Sequence, residues 1–191
     1  MKKENNSMGR LGGILLVITL VAALLLGAAN EITAPIIEAN SIATQNAALQ
    51  EIFADATEFP EIEVAAEGEA PNGDDAIVSQ AFEAKDASGN LVGVAVKVTP
   101  NGFGGGIEMM VGIAADGSVV KATILSMSET PGLGTHAKEA SFIDQYNGKS
   151  GEQKVSKDGG EIQAITGATI SSRAVTRGVN AAMTFAAAHM G

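Results

Sequence analysis

The side chains with the clearest capacity for chemistry lie in Thr166-Gly167-Ala168-Thr169-Ile170-Ser171-Ser172, a run of small and hydroxylated residues. From Arg173 onward Val175, Val179, Ala182, Met183 and Ala186 recur at helical spacing, while Arg173, Arg177 and Asn180 fall on the other face. The run therefore delivers the chain into a helix, and Ser171 and Ser172 are placed to accept hydrogen bonds from its first N–H groups. A cap with a turn glycine is one reading. The other is an anion site, because unpaired N–H groups and the helix dipole attract a phosphate at this end and small neighbours let it approach closely.

Two glycine-rich segments precede this run. Gly102-Phe103-Gly104-Gly105-Gly106 lacks the lysine and hydroxyl ending of a Walker loop, and Gly148-Lys149-Ser150, which has that ending, finds Ile143 where the leading glycine belongs. A dinucleotide fingerprint fails as well, since Gly102-Phe103-Gly104 precedes a strand pattern instead of a helix. Glu129-Thr130-Pro131-Gly132-Leu133-Gly134 reads as a rigid turn, with Pro131 fixing one backbone angle and Gly132 and Gly134 permitting positive φ. A turn alone leaves an exposed leucine beside a glutamate and a threonine unexplained.

Taken in order, Asn101-Gly102-Phe103-Gly104-Gly105, Val111-Gly112-Ile113, Glu129 to Gly134 and Thr166 to Ser172 with Arg173-Ala174-Val175 resemble the signatures of one family. It is the FMN-binding domain of the RnfG subunit of the Rnf ion-translocating electron-transport complex, shared with the corresponding subunit, NqrC, of the sodium-pumping NADH:quinone reductase. The resemblance runs from about residue 91 to residue 183 and is far more specific than a tetrapeptide. It implies that Thr169 is esterified to the phosphate of FMN by a flavin transferase that uses FAD, with Thr166, Gly167, Ala168, Ser171 and Ser172 around the attachment point. It also implies that Leu133 and Gly134 lie against the isoalloxazine, with Phe103 as an apolar surface and Glu129 or Thr130 as polar contacts. The family usually carries an aspartate three positions before the first threonine of the motif, where this sequence has Gln163.

The resemblance further implies an electron-transfer subunit of a membrane-bound oxidoreductase, coupling ferredoxin and NAD to ion movement, with no turnover alone and with the other members of the complex as partners. The NqrC type of the quinone reductase is the alternative within the class, for which this chain is short. A non-redox anchored assembly or sensor module is the alternative outside it.

Composition narrows the field. The 191 residues carry 12 basic against 22 acidic side chains, for a formal charge of −10, and the basic ones are scattered, which disfavours nucleic acid as a partner. The absence of cysteine excludes disulfides, thiolate metal sites and iron–sulfur ligation, so a redox role requires a bound organic cofactor. His136 and His189 are too few and too separated to suggest a metal centre.

The elements that must position these residues begin with residues 1–10, a polar segment carrying Lys2, Lys3 and Arg10, followed by an uncharged run over residues 11–29. Such a run spans about 28 Å as a helix and crosses a bilayer once. A cleaved signal peptide is the competing reading, though its apolar core is typically about 7 to 15 residues. Either way the basic N-terminus stays cytoplasmic and the rest lies outside, in the inner-membrane topology of a single-pass protein.

Residues 30–75 are expected to form a stalk and an acidic connector. Thr33 and Pro35 open a helical pattern of Ile36, Ile37, Ile42, Ala43, Ala47 and Ile52, and residues 58–75, with Pro60, Pro71 and Gly73, read as solvated. Residues 76–191 form the domain. Strand patterns cover 77–84, 91–99, 107–114 and 118–125, separated by the turns at 86–90 and 115–117, which makes an antiparallel meander the economical topology. A short helix over 138–146 with Ala140, Phe142 and Ile143 inward, then the last helix, gives an α+β fold.

Overall fold

A computed structural model describes residues 4–65, 68, 70–71 and 75–190, with side chains from Met8 onward, so that Lys2, Lys3 and Gly73 lie outside the described residues. The chain divides into two compact units, residues 1–43 and 44–191.

The first unit belongs to a single helix, α1 (Glu4–Ile52). Every residue from Met8 to Thr44 is exposed, including the leucines at 15, 16, 24, 25 and 26. The uncharged stretch over residues 11–29 is exposed and apolar on all sides, which suits a lipid environment. The helix does not restart at Thr33 as its cap chemistry suggests. The Thr33 hydroxyl donates back to the Ala29 carbonyl (3.0 Å), a bond threonine makes inside a helix, and Pro35 is accommodated within α1.

The second unit is built on a five-stranded antiparallel sheet of order β1-β2-β3-β4-β5, formed by β1 (Glu61–Ile62), β2 (Ile77–Lys85), β3 (Leu91–Thr99), β4 (Ile107–Ala114) and β5 (Val119–Met127). The four long strands match their expected spans to within two residues. The short β1 replaces part of the expected connector, because Ile62 is apolar enough to be buried beside β2 and the Pro60 carbonyl accepts the Glu83 N–H (2.9 Å).

Period-two alternation sends Val94, Val96 and Val98 of β3 and Met109, Val111 and Ile113 of β4 to one face. There they meet Val175, Val179, Ala182 and Ala186 of the last helix, α3 (Thr169–Met190). Ala95 and Met110 point the other way, where Ala48, Leu49, Ile52 and Phe53 at the end of α1 cover them. Both faces of the central strands are thus buried, which is why they read as almost continuous apolar runs. Of the helical pattern expected here Ile52 is buried, together with Ala48 and Leu49, while Ala43 and Ala47 are exposed. The approach is close at Gly112, where a Cβ would stand 2.1 Å from Ile52 Cγ2.

The expected helix over 138–146 is instead three short pieces: a 3-10 turn at Gly134–Lys138, α2 (Ala140–Ile143) and a 3-10 turn at Asp144–Tyr146. Phe142 and Ile143 are buried as expected, but Ala140 is exposed, and Ala137 and Tyr146 take its place in the core. Tyr146 stands edge-on to Phe142 (centroids 5.9 Å apart) and its hydroxyl meets Thr176 Oγ1 of α3 (2.8 Å). Desolvation pushes that phenol well above its ordinary pKa. This hydrogen bond pins the loop layer to the helix.

Candidate functional site

The motif turns and then coils. Ala168 N–H donates to the Ile165 carbonyl (3.1 Å) across a turn in which Gly167 holds φ +79°, and Ser172 N–H then makes the first helical bond to the Ala168 carbonyl (3.0 Å). The helix therefore begins at Thr169, ahead of Ser171 and Ser172, so neither serine is its cap. Ser172 Oγ accepts from Ile165 N–H (2.9 Å) and donates to the Ala168 carbonyl (2.9 Å), fastening the turn to the first helical turn.

Ser171 does something different. Its hydroxyl donates to Glu129 Oε2 (2.8 Å), while Glu129 Oε1 accepts from the N–H groups of Phe103 (2.8 Å) and Gly104 (3.2 Å). Glu129 is 6% exposed. One buried carboxylate thus joins the Gly102–Gly106 loop, the Glu129–Gly134 loop and the start of α3. The resemblance implied a polar contact from Glu129 or Thr130 to the ring; here both Glu129 oxygens are occupied within the protein, and Thr130 is the exposed one of the two.

The two glycines of the second loop serve distinct ends. Gly132 has φ +73° with open space around it, so its need is conformational. Gly134 has no such backbone, but a Cβ on it would stand 2.2 Å from Glu129 Oε2 and 2.7 Å from Ser171 Oγ, so its need is room for the carboxylate.

Around this tie the surface carries apolar side chains that have no core to join: Phe103 is 69%, Leu133 43% and Ile170 50% exposed. Leu133 reaches the motif itself, its Cδ2 lying 3.1 Å from where a Cβ on Gly167 would be. Ala168 is buried, whereas Thr166 and Gly167 are exposed and Thr169 is half-buried.

A cleft of about 420 Å³ opens beside the motif, lined by Gly132, His136, Phe142, Gln145, Gln163 and Thr166. The Gln145 side chain fixes the backbone there, accepting from Gln163 N–H (2.7 Å) and donating to the Gln163 carbonyl (3.2 Å). His136 Nδ1 lies 2.7 Å from Glu139 Oε1, and this hydrogen bond and the carboxylate charge raise the imidazole above its ordinary pKa. A larger cleft of about 850 Å³ flanks α3 on another side, reaching Asp158, Arg173, Thr176 and Arg177.

The sequence reasoning missed one neighbour of the motif. Lys157 Nζ donates to Thr169 Oγ1 (3.1 Å), and the adjacent Asp158 is bound by Arg173. The available signal was the turn chemistry of Lys157-Asp158-Gly159-Gly160, which marks a tight loop without revealing what it faces. The other outward residues of α3 are also engaged: Arg177 with Asp75 (2.9 Å) and Asn180 with the backbone of Gln153 (2.8 and 2.9 Å). Among the described residues no cluster of three or more potential metal ligands occurs.

The chain is similar to known proteins along most of its length. Residues 102–184 match the FMN-binding domain family, and residues 1–52 match the RnfG N-terminal region. The chain is 37% identical over 185 residues to the RnfG subunit of the Na+-translocating ferredoxin:NAD+ oxidoreductase complex of Acetobacterium woodii, spanning 90% of this chain and 87% of that one. It is 31% identical to the same subunit of the proton-translocating ferredoxin:NAD+ oxidoreductase complex of Clostridium ljungdahlii, spanning 95% and 92%. Among solved structures, Shewanella oneidensis NqrC shares the fold with a TM-score of 0.53 at 20% identity, over 69% of this chain and 80% of that one.

Proposed function

This chain belongs to the RnfG family of ion-translocating oxidoreductase complexes, and from that membership we propose that it is their membrane-anchored flavoprotein subunit, bearing FMN through a phosphoester at Thr169. The observation that carries the assignment is Thr169 itself, a half-buried hydroxyl on the first residue of α3 beside an ammonium group and an exposed apolar rim.

The residues present fit the group. The first N–H groups of a helix have no intrahelical partners, and with Lys157 they supply donors for a phosphate. Leu133, Phe103 and Ile170 supply exposed apolar surface of the kind a planar ring system covers. FMN would contribute one- and two-electron transfer at the isoalloxazine. The protein's part is positional: Thr169 tethers, Gly132 to Gly134 shape the wall, and Glu129 holds that wall to the start of α3. Thr166 and Gly167 stay open to the transferase that would attach the cofactor.

In this reading electrons pass between neighbouring subunits of a ferredoxin:NAD+ oxidoreductase, and α1 anchors the chain with residues 1–10 cytoplasmic and the sheet domain outside. The test is the mass of the intact chain after coexpression with a flavin transferase. The parent should gain one FMN phosphoester and Thr169→Val none; an FMN adduct on Thr169→Val would refute the attachment site.

A further inference from the structure

Lys157 sits on a segment with little of its own to hold it. Ser156–Asp158 is one 3-10 turn, its last two residues exposed, followed by Gly159 in the left-handed region (φ +82°). Three attachments fix it. Val155 is buried and forms a parallel bridge with Ile162, and Ser156 N–H donates to the Ile162 carbonyl (2.7 Å). The decisive one is the two-pronged bond from Arg173, Nε to Asp158 Oδ2 (2.7 Å) and Nη2 to Asp158 Oδ1 (2.5 Å).

Arg173 lies four residues beyond Thr169, one helical turn along the same face. Clamping Asp158 to Arg173 therefore delivers the preceding residue, Lys157, to Thr169. As it stands the result is unbalanced. A lysine loses rotamer freedom when pinned, and a neutral hydroxyl returns less to an ammonium than an anionic oxygen does. The arrangement is completed by a negative charge next to Thr169 Oγ1, on the non-bridging oxygens of a phosphate attached there.

We propose that Lys157, held by the Asp158–Arg173 clamp, is a positioning residue for phosphoryl attachment at Thr169 and the charge partner of the phosphodiester that results. This rests on the reading that Thr169 bears the flavin. In the attachment, Thr169 Oγ1 bonds to the riboflavin-side phosphorus of FAD as the anhydride bond to the adenylate breaks. AMP leaves with the bridging oxygen, and the threonine proton passes to a base of the transferase or to solvent. Lys157 occupies one lone pair of Oγ1, fixing the rotamer with the other lone pair available, and then donates to the phosphodiester oxygens. Arg173 is already committed through Nε and Nη2 to Asp158, so Lys157 is the cation placed on Oγ1 itself.

The experiment uses the full chain in detergent with a purified flavin transferase, FAD and Mg2+, and follows covalent incorporation by intact mass. Lys157→Met should load about ten-fold more slowly than the parent and Lys157→Arg within about three-fold of it, the scale of one charge-assisted hydrogen bond. Asp158→Asn should also slow loading, with no further effect in the Lys157→Met background.

A second readout concerns the loaded chain and not the transferase. The 31P resonance of the phosphodiester should differ between the parent and Lys157→Met brought to completion by long incubation, because the ammonium polarises the phosphodiester oxygens, and Lys157→Arg should stay near the parent value. Parent-like loading of Lys157→Met overturns the proposal, as does a 31P resonance that is the same in the parent and in Lys157→Met. An FMN adduct on Thr169→Val overturns the underlying reading instead, so the two failures are distinguishable.

Discussion

Replacing Glu129 tests whether the site is organised from within the protein before any cofactor is attached. The carboxylate accepts three hydrogen bonds, from Phe103 N–H (2.8 Å), Gly104 N–H (3.2 Å) and Ser171 Oγ (2.8 Å), and is almost fully buried. Bonds to a charged group are worth about 1.5–3 kcal/mol each, but they are not additive, and the neighbouring exposed loop admits water that would re-solvate part of what is lost. Glu129→Ala should therefore cost about 3–4 kcal/mol. For a unit spanning residues 44–191 this corresponds to a melting temperature lower by about 10 °C. Glu129→Gln should cost about 1–2 kcal/mol, because its amide oxygen keeps the two N–H bonds while Ser171 turns to accept from the new amide hydrogens. The assay is thermal unfolding of the full chain in detergent, with amide exchange at Phe103 and Gly104 as the local readout. Protection there should be lost in Glu129→Ala and retained in Glu129→Gln. A Glu129→Ala protein that melts within about 2 °C of the parent, with those amides still protected, would refute the three-loop tie.

Two other outcomes follow from the structure. The hydrogen bond from Arg173, reinforced by its charge, holds the Asp158 carboxyl below the ordinary aspartate value of 3.8, so the clamp is in place at neutral pH and is released only as the pH falls through that lowered value; 13C titration of the carboxyl should find its midpoint below 3.8 and returned towards 3.8 in Arg173→Ala, and a parent midpoint at or above that value would refute the pairing. The basic residues before Leu11 and the uncharged run after it orient the chain with its sheet domain outside; a reporter active only in the cytoplasm, fused after Gly191, should be silent, and activity there would reverse the topology.

What could be read from the sequence was what depends on local pattern. The four long strands are rich in apolar residues, β3 and β4 being buried on both faces, and turn chemistry at Asp86 to Asn90 and Ala115 to Gly117 punctuates them, so their spans and antiparallel order follow from neighbours in the chain. Cap chemistry was less dependable. Thr33 with Pro35 has the composition of a helix start, yet its hydroxyl serves an interior bond, because a helix continuous on both sides outweighs a local preference for a break. Ser171 and Ser172 were drawn into the cap reading for the same reason, and their actual partners, Glu129 and the 165–168 turn, are set by where the chain arrives in space.

The site shows the same limit at its centre. Gly134 and Glu129 are close in sequence, but the glycine's purpose is legible only once the carboxylate turns inward and a Cβ at 134 is seen to collide with Oε2. A glycine kept for a left-handed backbone and one kept for room look alike in sequence; φ +73° at Gly132 and the 2.2 Å collision at Gly134 separate them. Lys157 was hidden more deeply still, 12 residues from Thr169 and brought to it with the help of the clamp one helical turn further on. A lysine in a glycine-flanked turn has every local reason to be solvated, so the contact that bears on phosphate chemistry arises from the geometry of α3 and not from composition. The attachment motif could therefore be located from its own residues, whereas the carboxylate that braces it and the cation that faces it required the fold.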